Sequence, residues 1–282
     1  MSELVFLKLG GSLITDKTRD QTLRADVLHR LAKEISAALS ERPDMQLLVG
    51  HGSGSYGHMV ARRYGTRDGV GSPEQWRGYA ETACVAARLN RLVLDALQAA
   101  GIPVLPIQPS ASALCRDGEL RLLDERPIHA ALANGLVPVV YGDVALDEVR
   151  GGTIISTEQI FRWLAYHLGP QRVLLVGEVP GVLSVDPARR PAGSDDSDAG
   201  HLIDEVTPLR LSGIERMLGG SRGVDVTGGM LAKVREMTSL VQGVPELCEV
   251  RLFSGLEPDL LRVVLADPHA QVGTRIHAES IV

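Results

Sequence analysis

The apolar run Met45-Gln46-Leu47-Leu48 leads straight into Val49-Gly50-His51-Gly52-Ser53-Gly54-Ser55-Tyr56-Gly57-His58, where four of ten residues are glycine. That pattern reads as a strand running into a loop with bare backbone. Amides in such a loop can turn towards an anion with no Cβ in the way, and a helix starting beyond it would add its positive N-terminal end. A single loop of this kind is also readable as a purely structural turn between strand and helix.

The arrangement recurs along the chain. Leu4-Val5-Phe6-Leu7 is a short run of the buried-strand type and is followed by Lys8-Leu9-Gly10-Gly11-Ser12-Leu13-Ile14-Thr15-Asp16-Lys17. The strand-like segment 172–176 is followed by Gly177-Glu178-Val179-Pro180-Gly181. A late glycine-dense run, 218–230, ends in Thr227-Gly228-Gly229-Met230-Leu231-Ala232-Lys233 and places a lysine at the start of a helix.

Between these loops, Leu28, Leu31, Ile35 and Ala38 predict an amphipathic helix, ended by Arg42-Pro43-Asp44 before the strand 46–49. The chain is expected to be irregular from beyond His58 through Tyr64 to Pro73. A long helix with Val85, Leu89, Leu92 and Ala96 on one face then stops at Gly101. A strand at 102–105 and a hairpin at 112–122, turning at Asp117-Gly118, come next. A helix near 128–133 and a strand at 137–141 lead to Gly142-Asp143, and Ser156-Thr157-Glu158-Gln159 has the form of a capping box. Gly169-Pro170 marks the expected boundary between a lobe 1–169 and a lobe 170–282. Beyond it an exposed loop is expected at 192–200, then a helix at 230–241 and strands at 247–253 and 273–276. This alternation predicts an α/β fold: an open αβα sandwich whose mainly parallel central sheet is continuous through both lobes, with ligands at the carboxyl ends of the strands.

Composition narrows the partners. At 282 residues and 44% hydrophobic content the chain can bury a sizeable core. No run approaches the roughly eighteen apolar residues of a membrane span, and the N-terminus lacks a signal peptide's basic start and long apolar core, so a soluble cytoplasmic protein is expected. Cys84, Cys115 and Cys248 are scattered, with no CxxC pair, which argues against a disulfide framework or a zinc site. The net charge of -6 disfavours a sequence-independent grip on nucleic acid. Any anion site must be local, built from a few lysines and amides.

Several glycine loops opening on one sheet edge, accompanied by Lys8, Lys17, His58 and Lys233, are the inventory of phosphoryl transfer. Its transition state spreads negative charge over oxygens, so catalysis is mainly alignment and charge stabilisation. There is no GxxxxGK[ST] sequence, no HRD and no DFG, which sets aside P-loop NTPases and protein kinases. Gly52-Ser53-Gly54-Ser55-Tyr56-Gly57 fits a GxGxxG dinucleotide spacing. However, no acidic residue follows at the end of a second strand about twenty residues on, and the lysine-glycine loop at the N-terminus would go unexplained.

Lys8-Leu9-Gly10-Gly11-Ser12 with a second lysine at Lys17, together with Gly142-Asp143 and the late Gly-Gly-Met-x-x-Lys, resembles the opening and close of the amino acid kinase superfamily. Within it, His51 to His58 and Asp225-Val226-Thr227-Gly228-Gly229-Met230 look like the isopentenyl phosphate kinases, with His58 as the narrow part of the match. The resemblance implies ATP-dependent phosphorylation of isopentenyl phosphate to isopentenyl diphosphate in isoprenoid synthesis by the alternate mevalonate pathway, in a homodimer. It implies Lys8 as donor to the ATP phosphates, Lys17 as stabiliser of the moving phosphoryl group, and backbone or hydroxyl contacts from Gly10, Gly11 and Ser12. Ser53 and His58 would hold the acceptor phosphate, with the Gly54 amide facing ATP. Thr157 matches a substrate contact, while Glu178, Gly229 and Lys233 match positions around the nucleotide. Magnesium (Mg2+) would be carried by ATP and water, with no protein ligand. The acceptor lobe and catalytic lysines would lie in 1–169 and the ATP lobe in 170–282.

Two segments depart from the commonest family pattern. Ser156-Thr157-Glu158 stands for Ser-Gly-Asp, and Val176-Gly177-Glu178-Val179-Pro180-Gly181 stands for Gly-Thr-Asp-Val-Asp-Gly. A fosfomycin-type phosphonate kinase and a non-catalytic nucleotide sensor are the alternatives. Asp143 is readable either as a turn cap or as an orienting partner of Lys8 or Lys17. Trp76, Tyr79, Ala80 and Ala83 are readable as a prenyl pocket or as ordinary core, and His51 as structural.

Overall fold

The computed structural model describes residues 2–184, 200–219 and 229–278, and only the backbone at 58, 218 and 219. Residues 192–199 of the expected exposed loop and 220–228 of the late glycine run, including Asp225 to Gly228, lie outside the described residues. The first half runs β1 (Leu4–Leu9), α1 (Gly11–Ile14), α2 (Ala25–Glu41), β2 (Gln46–His51), α3 (Gly54–Tyr64), α4 (Pro73–Ala99), β3 (Val104–Pro106), β4 (Leu114–Arg116), β5 (Glu119–Leu122), α5 (Arg126–Ala133), β6 (Val137–Tyr141), β7 (Asp143–Asp147), β8 (Gly151–Ile155) and α6 (Thr157–Leu168). The second runs β9 (Arg172–Gly177), β10 (Val182–Leu183), β11 (Leu202–Ile203), β12 (Glu205–Val206), α7 (Leu211–Gly219), α8 (Met230–Gly243), β13 (Glu249–Ser254), α9 (Leu260–Ala266) and β14 (Thr274–Ile276).

Eight strands form the main sheet in the order β12-β14-β13-β9-β1-β2-β6-β3, parallel at every pair except β13 with β14. β1 lies at its centre and is buried on both faces, which is why its sequence is continuously apolar rather than alternating. From β1 the chain goes one way to β2, out to the edge strand β3 and back to β6 between them, and then the other way through β9 and β13. The reversal falls between β1 and β9, where loops diverge and leave a crevice at the carboxyl ends of the strands.

Helices cover both faces. Val5, Leu7 and Leu9 pack with Leu28, Leu31 and Ile35 of α2, Leu89 and Val93 of α4 and Leu261 of α9. On the other face Leu4 and Phe6 pack with Ile128 of α5, Phe161 and Leu164 of α6 and Val234 and Met237 of α8. No helix among the described residues is long and apolar enough to cross a membrane.

A smaller sheet, β5-β4-β7-β8, sits beside the main one. Its first hairpin turns at Asp117 and Gly118, both with positive φ, as the Asp-Gly pair predicts. The β7-β8 hairpin was not expected. The Asp147 carboxylate holds it, accepting from the amides of Val149 and Arg150 while also accepting from Asp117 and Gly118 of the first hairpin. The expected irregular stretch beyond His58 is corrected as well: α3 starts at Gly54 and continues to Tyr64, because Tyr56 and Val60, one turn apart, bury against the core.

Candidate active site

Alternation along β1 turns Lys8 to the same face as Leu4 and Phe6, at the strand's carboxyl end beside Gly50 and Leu175. The side chain is 11% exposed, and its amine is hydrogen-bonded to the Glu158 carboxylate in the first turn of α6. Ser156 caps that helix in the expected capping box with Gln159. Gly50 makes the approach possible: a Cβ there would fall 2.6 Å from the Phe161 ring and 2.7 Å from the Thr157 methyl. Without a side chain at Gly50, α6 settles on the sheet and delivers Glu158 to Lys8.

Lys233, in the first turn of α8, joins this pair. Burial pushes the Lys233 ammonium down, and the Lys8 and Lys17 charges push it further, while Glu158 partly restores it. Burial pushes the Glu158 carboxyl up, but Lys8 and Lys233 outweigh it and hold it below the ordinary value. The centre is therefore a Lys8–Glu158 ion pair that also feels the Lys233 charge, with Lys17 close enough to act on Lys233. Such a group of charges is poised for a polyanion.

The two N-terminal glycine loops interlock beside it. Gly10 donates its amide to the Val176 carbonyl at 2.7 Å and Gly52 donates to Leu9 at 3.0 Å. Gly54 has φ +50°, and a Cβ on it would lie 2.0 Å from the Thr15 hydroxyl. That hydroxyl accepts from the Ser55 amide at 2.9 Å and donates to the Gly11 carbonyl at 2.7 Å, stitching one loop to the other. Ser53 stands at the N-terminus of α3, its side chain making no capping hydrogen bond. His58 lies in the same helix, but its side chain is outside the described part.

A cavity of about 440 Å³ opens next to these loops, lined by Ser12, Thr15, Asp16, Lys17, Thr18, Arg24 and Glu178. Lys17 is exposed and forms no ion pair among the described residues. The turn that carries it is shaped by Asp16, whose carboxylate accepts from the Thr18 hydroxyl at 2.6 Å and amide at 2.9 Å and is held low by those bonds. Glu178 is paired with Arg24 at 2.8 Å.

Of the sequence-derived candidates, Lys8 pairs with Glu158, the Lys233 charge acts on both, and Ser12, Lys17 and Glu178 share the cavity. Gly10, Gly11, Gly54 and Ser53 form the interlocked loops, and Gly229 is the residue from which α8 starts. Thr157 is buried beneath them, its hydroxyl donating to the His51 carbonyl at 2.6 Å. His51 is buried against Asn90 and stacked on Tyr141, and burial pushes its pKa down, so it is a neutral structural residue. Asp143 accepts from the Ser110 and Val144 amides and pairs with neither Lys8 nor Lys17, which makes it a turn cap. Burial pushes its carboxyl up. Trp76 and Tyr79 meet edge to face at 5.3 Å, and Tyr79 lies over Gly152, where a Cβ would be 2.9 Å from its ring. Glu158, Thr15 and Arg24 were not among the candidates. Only Glu158 carried a signal: its place in the first turn of a capped helix and its match to the acid of the family's Ser-Gly-Asp.

Comparison with known proteins identifies the family and the fold. The amino acid kinase family model matches residues 3–253. The isopentenyl phosphate kinase of Methanothermobacter thermautotrophicus is 37% identical over 246 residues, covering 85% of this chain and 87% of that protein. The isopentenyl phosphate kinase of Haloferax volcanii is 39% identical over 241 residues, covering 84% and 88%. Among solved structures, an isopentenyl phosphate kinase superposes with a TM-score of 0.78 at 31% identity, covering 97% of this chain and 99% of that one. The product complex of the T. acidophilum isopentenyl phosphate kinase superposes with a TM-score of 0.75 at 26% identity, covering 97% and 100%.

Proposed function

The chain belongs to the amino acid kinase family, and from that membership we propose that it transfers the γ-phosphoryl group of ATP to the phosphate of isopentenyl phosphate. The product is isopentenyl diphosphate, an intermediate of isoprenoid synthesis by the alternate mevalonate route. The observation that supports this reading is the Lys8–Glu158 pair at the carboxyl end of β1, with Lys17 at a cavity beside two interlocked glycine loops.

The reaction joins two anions. An oxygen of the acceptor phosphate bonds to the γ-phosphorus while the bond from that phosphorus to the β-γ bridging oxygen breaks, and ADP leaves with the electron pair. The attacking oxygen is already ionised, so no general base is required. What the protein must supply is alignment and positive charge. In this reading Lys8 and Lys233 hold the ATP phosphates, aided by Gly10, Gly11 and Ser12, and Lys17 neutralises the group in flight. Ser53 and His58 hold the acceptor phosphate at the start of α3, with Thr157 below. Glu158 keeps Lys8 extended when no phosphate is there to do so.

Magnesium fits this scheme as a companion of the nucleotide. As the family resemblance implies, ATP phosphates and water would supply its ligands. Bound there, it would neutralise phosphate charge. The proposal also takes 1–169 as the acceptor lobe, 170–282 as the ATP lobe, a homodimer as the assembly and the cytoplasm as the location. The lobes and the dimer rest on the family resemblance. ADP release with isopentenyl phosphate as acceptor tests the reaction.

A further inference from the structure

Arg24 occupies the N-cap of α2, and its side chain enters the cavity that holds Lys17 and Glu178. A cation there faces the positive end of a seventeen-residue helix, which disfavours it locally. Its Nη1 donates to the Glu178 carboxylate at 2.8 Å and, less closely, to the Ser12 carbonyl at 3.4 Å. Nε and Nη2 make no hydrogen bond to any described residue. The two side chains are 31% and 41% exposed, and an ion pair that open contributes little to stability. Its effect is geometric: one edge of the guanidinium is tied to the loop after β9 and the other donors are left facing the cavity.

We propose that Arg24 is a phosphate-binding residue of the nucleotide site, aimed by Glu178. The inference rests on the kinase reading above. A planar guanidinium with free donors matches phosphate oxygens better than a point charge does. Glu178 alone would repel a polyphosphate; paired, it becomes the fixed side of a cationic fork. The nucleotide is favoured over the acceptor because the tether runs to the loop after β9, and Ser53 is not part of this cavity's wall.

Isothermal titration of Mg-ATP into the wild type, Arg24→Met, Arg24→Lys and Glu178→Gln, in parallel with isopentenyl phosphate, tests the proposal. Arg24→Met should raise the Kd for ATP about tenfold, corresponding to one lost charge-assisted contact, with Arg24→Lys between it and the wild type. Glu178→Gln, which frees the fork, should raise the ATP Kd about threefold. The Kd for isopentenyl phosphate should stay within about twofold throughout. Equal ATP affinity in Arg24→Met and the wild type overturns the proposal, as does a loss confined to isopentenyl phosphate. If Arg24→Met does not fold, unchanged ATP affinity in both Arg24→Lys and Glu178→Gln overturns it. A wild type that binds no ATP overturns the kinase reading itself.

Discussion

A Cβ on Gly11 would fall 2.4 Å from the amide nitrogen of Gly54. The two loops therefore touch backbone to backbone, and each sets the position of the other. Gly11→Ala must push α3 away from the β1 loop, at about 1–3 kcal/mol of stability, and should raise KM for both substrates together. Gly177→Ala is the control for stability, since a Cβ there meets no atom within 4 Å. Urea unfolding of both variants, with kinetics of the first, checks the claim; equal stability of the two would refute it.

Glu158 answers to Lys8 and Lys233, so its replacement leaves buried positive charge unbalanced. Glu158→Gln should cost about 3 kcal/mol near neutral pH. The sign of the pH dependence follows from the direction of the shift. A carboxyl held below its ordinary value of 4.5 stabilises the fold fully above that value and loses the contribution as pH falls through the folded pKa. Melting temperatures measured from about pH 3 to 7 should fall more steeply at the acid end for the wild type than for Glu158→Gln. Parallel curves would mean that the pair contributes nothing.

Lys17 is exposed and has no ion-pair partner among the described residues, so the fold does not depend on it. Lys17→Met should leave the melting temperature unchanged and lower kcat by about 10²–10³, the usual effect of removing one transition-state donor. A change confined to KM would move Lys17 from the transferring group to substrate binding.

Much of this was legible in the sequence because it is local. A strand followed by glycines reads as such wherever it occurs, and Asp117-Gly118 announces its own turn. What was missed is set by distant partners. Glu158 meets Lys8 across 150 positions and Arg24 meets Glu178 across 154, so no spacing rule links them. The β7-β8 hairpin depends on one carboxylate, Asp147, serving two turns at once. In α3, glycines that signal a loop hid a helix that its buried face, Tyr56 and Val60, stabilises.

His58 carries the choice of acceptor in this account. His58→Ala should raise KM for isopentenyl phosphate by about ten- to a hundredfold, the range of a lost hydrogen bond to a charged group, and leave the Kd for ATP nearly unchanged. Unaltered acceptor kinetics would remove His58 from the site.

The most direct measurement is coupled ADP release by the wild-type protein with isopentenyl phosphate and, separately, fosfomycin. The account predicts sustained turnover on isopentenyl phosphate, with kcat/KM above that for fosfomycin by at least about a hundredfold. Turnover on fosfomycin and none on isopentenyl phosphate would contradict it and make the protein a phosphonate kinase; ATP binding with turnover on neither would make it a nucleotide sensor.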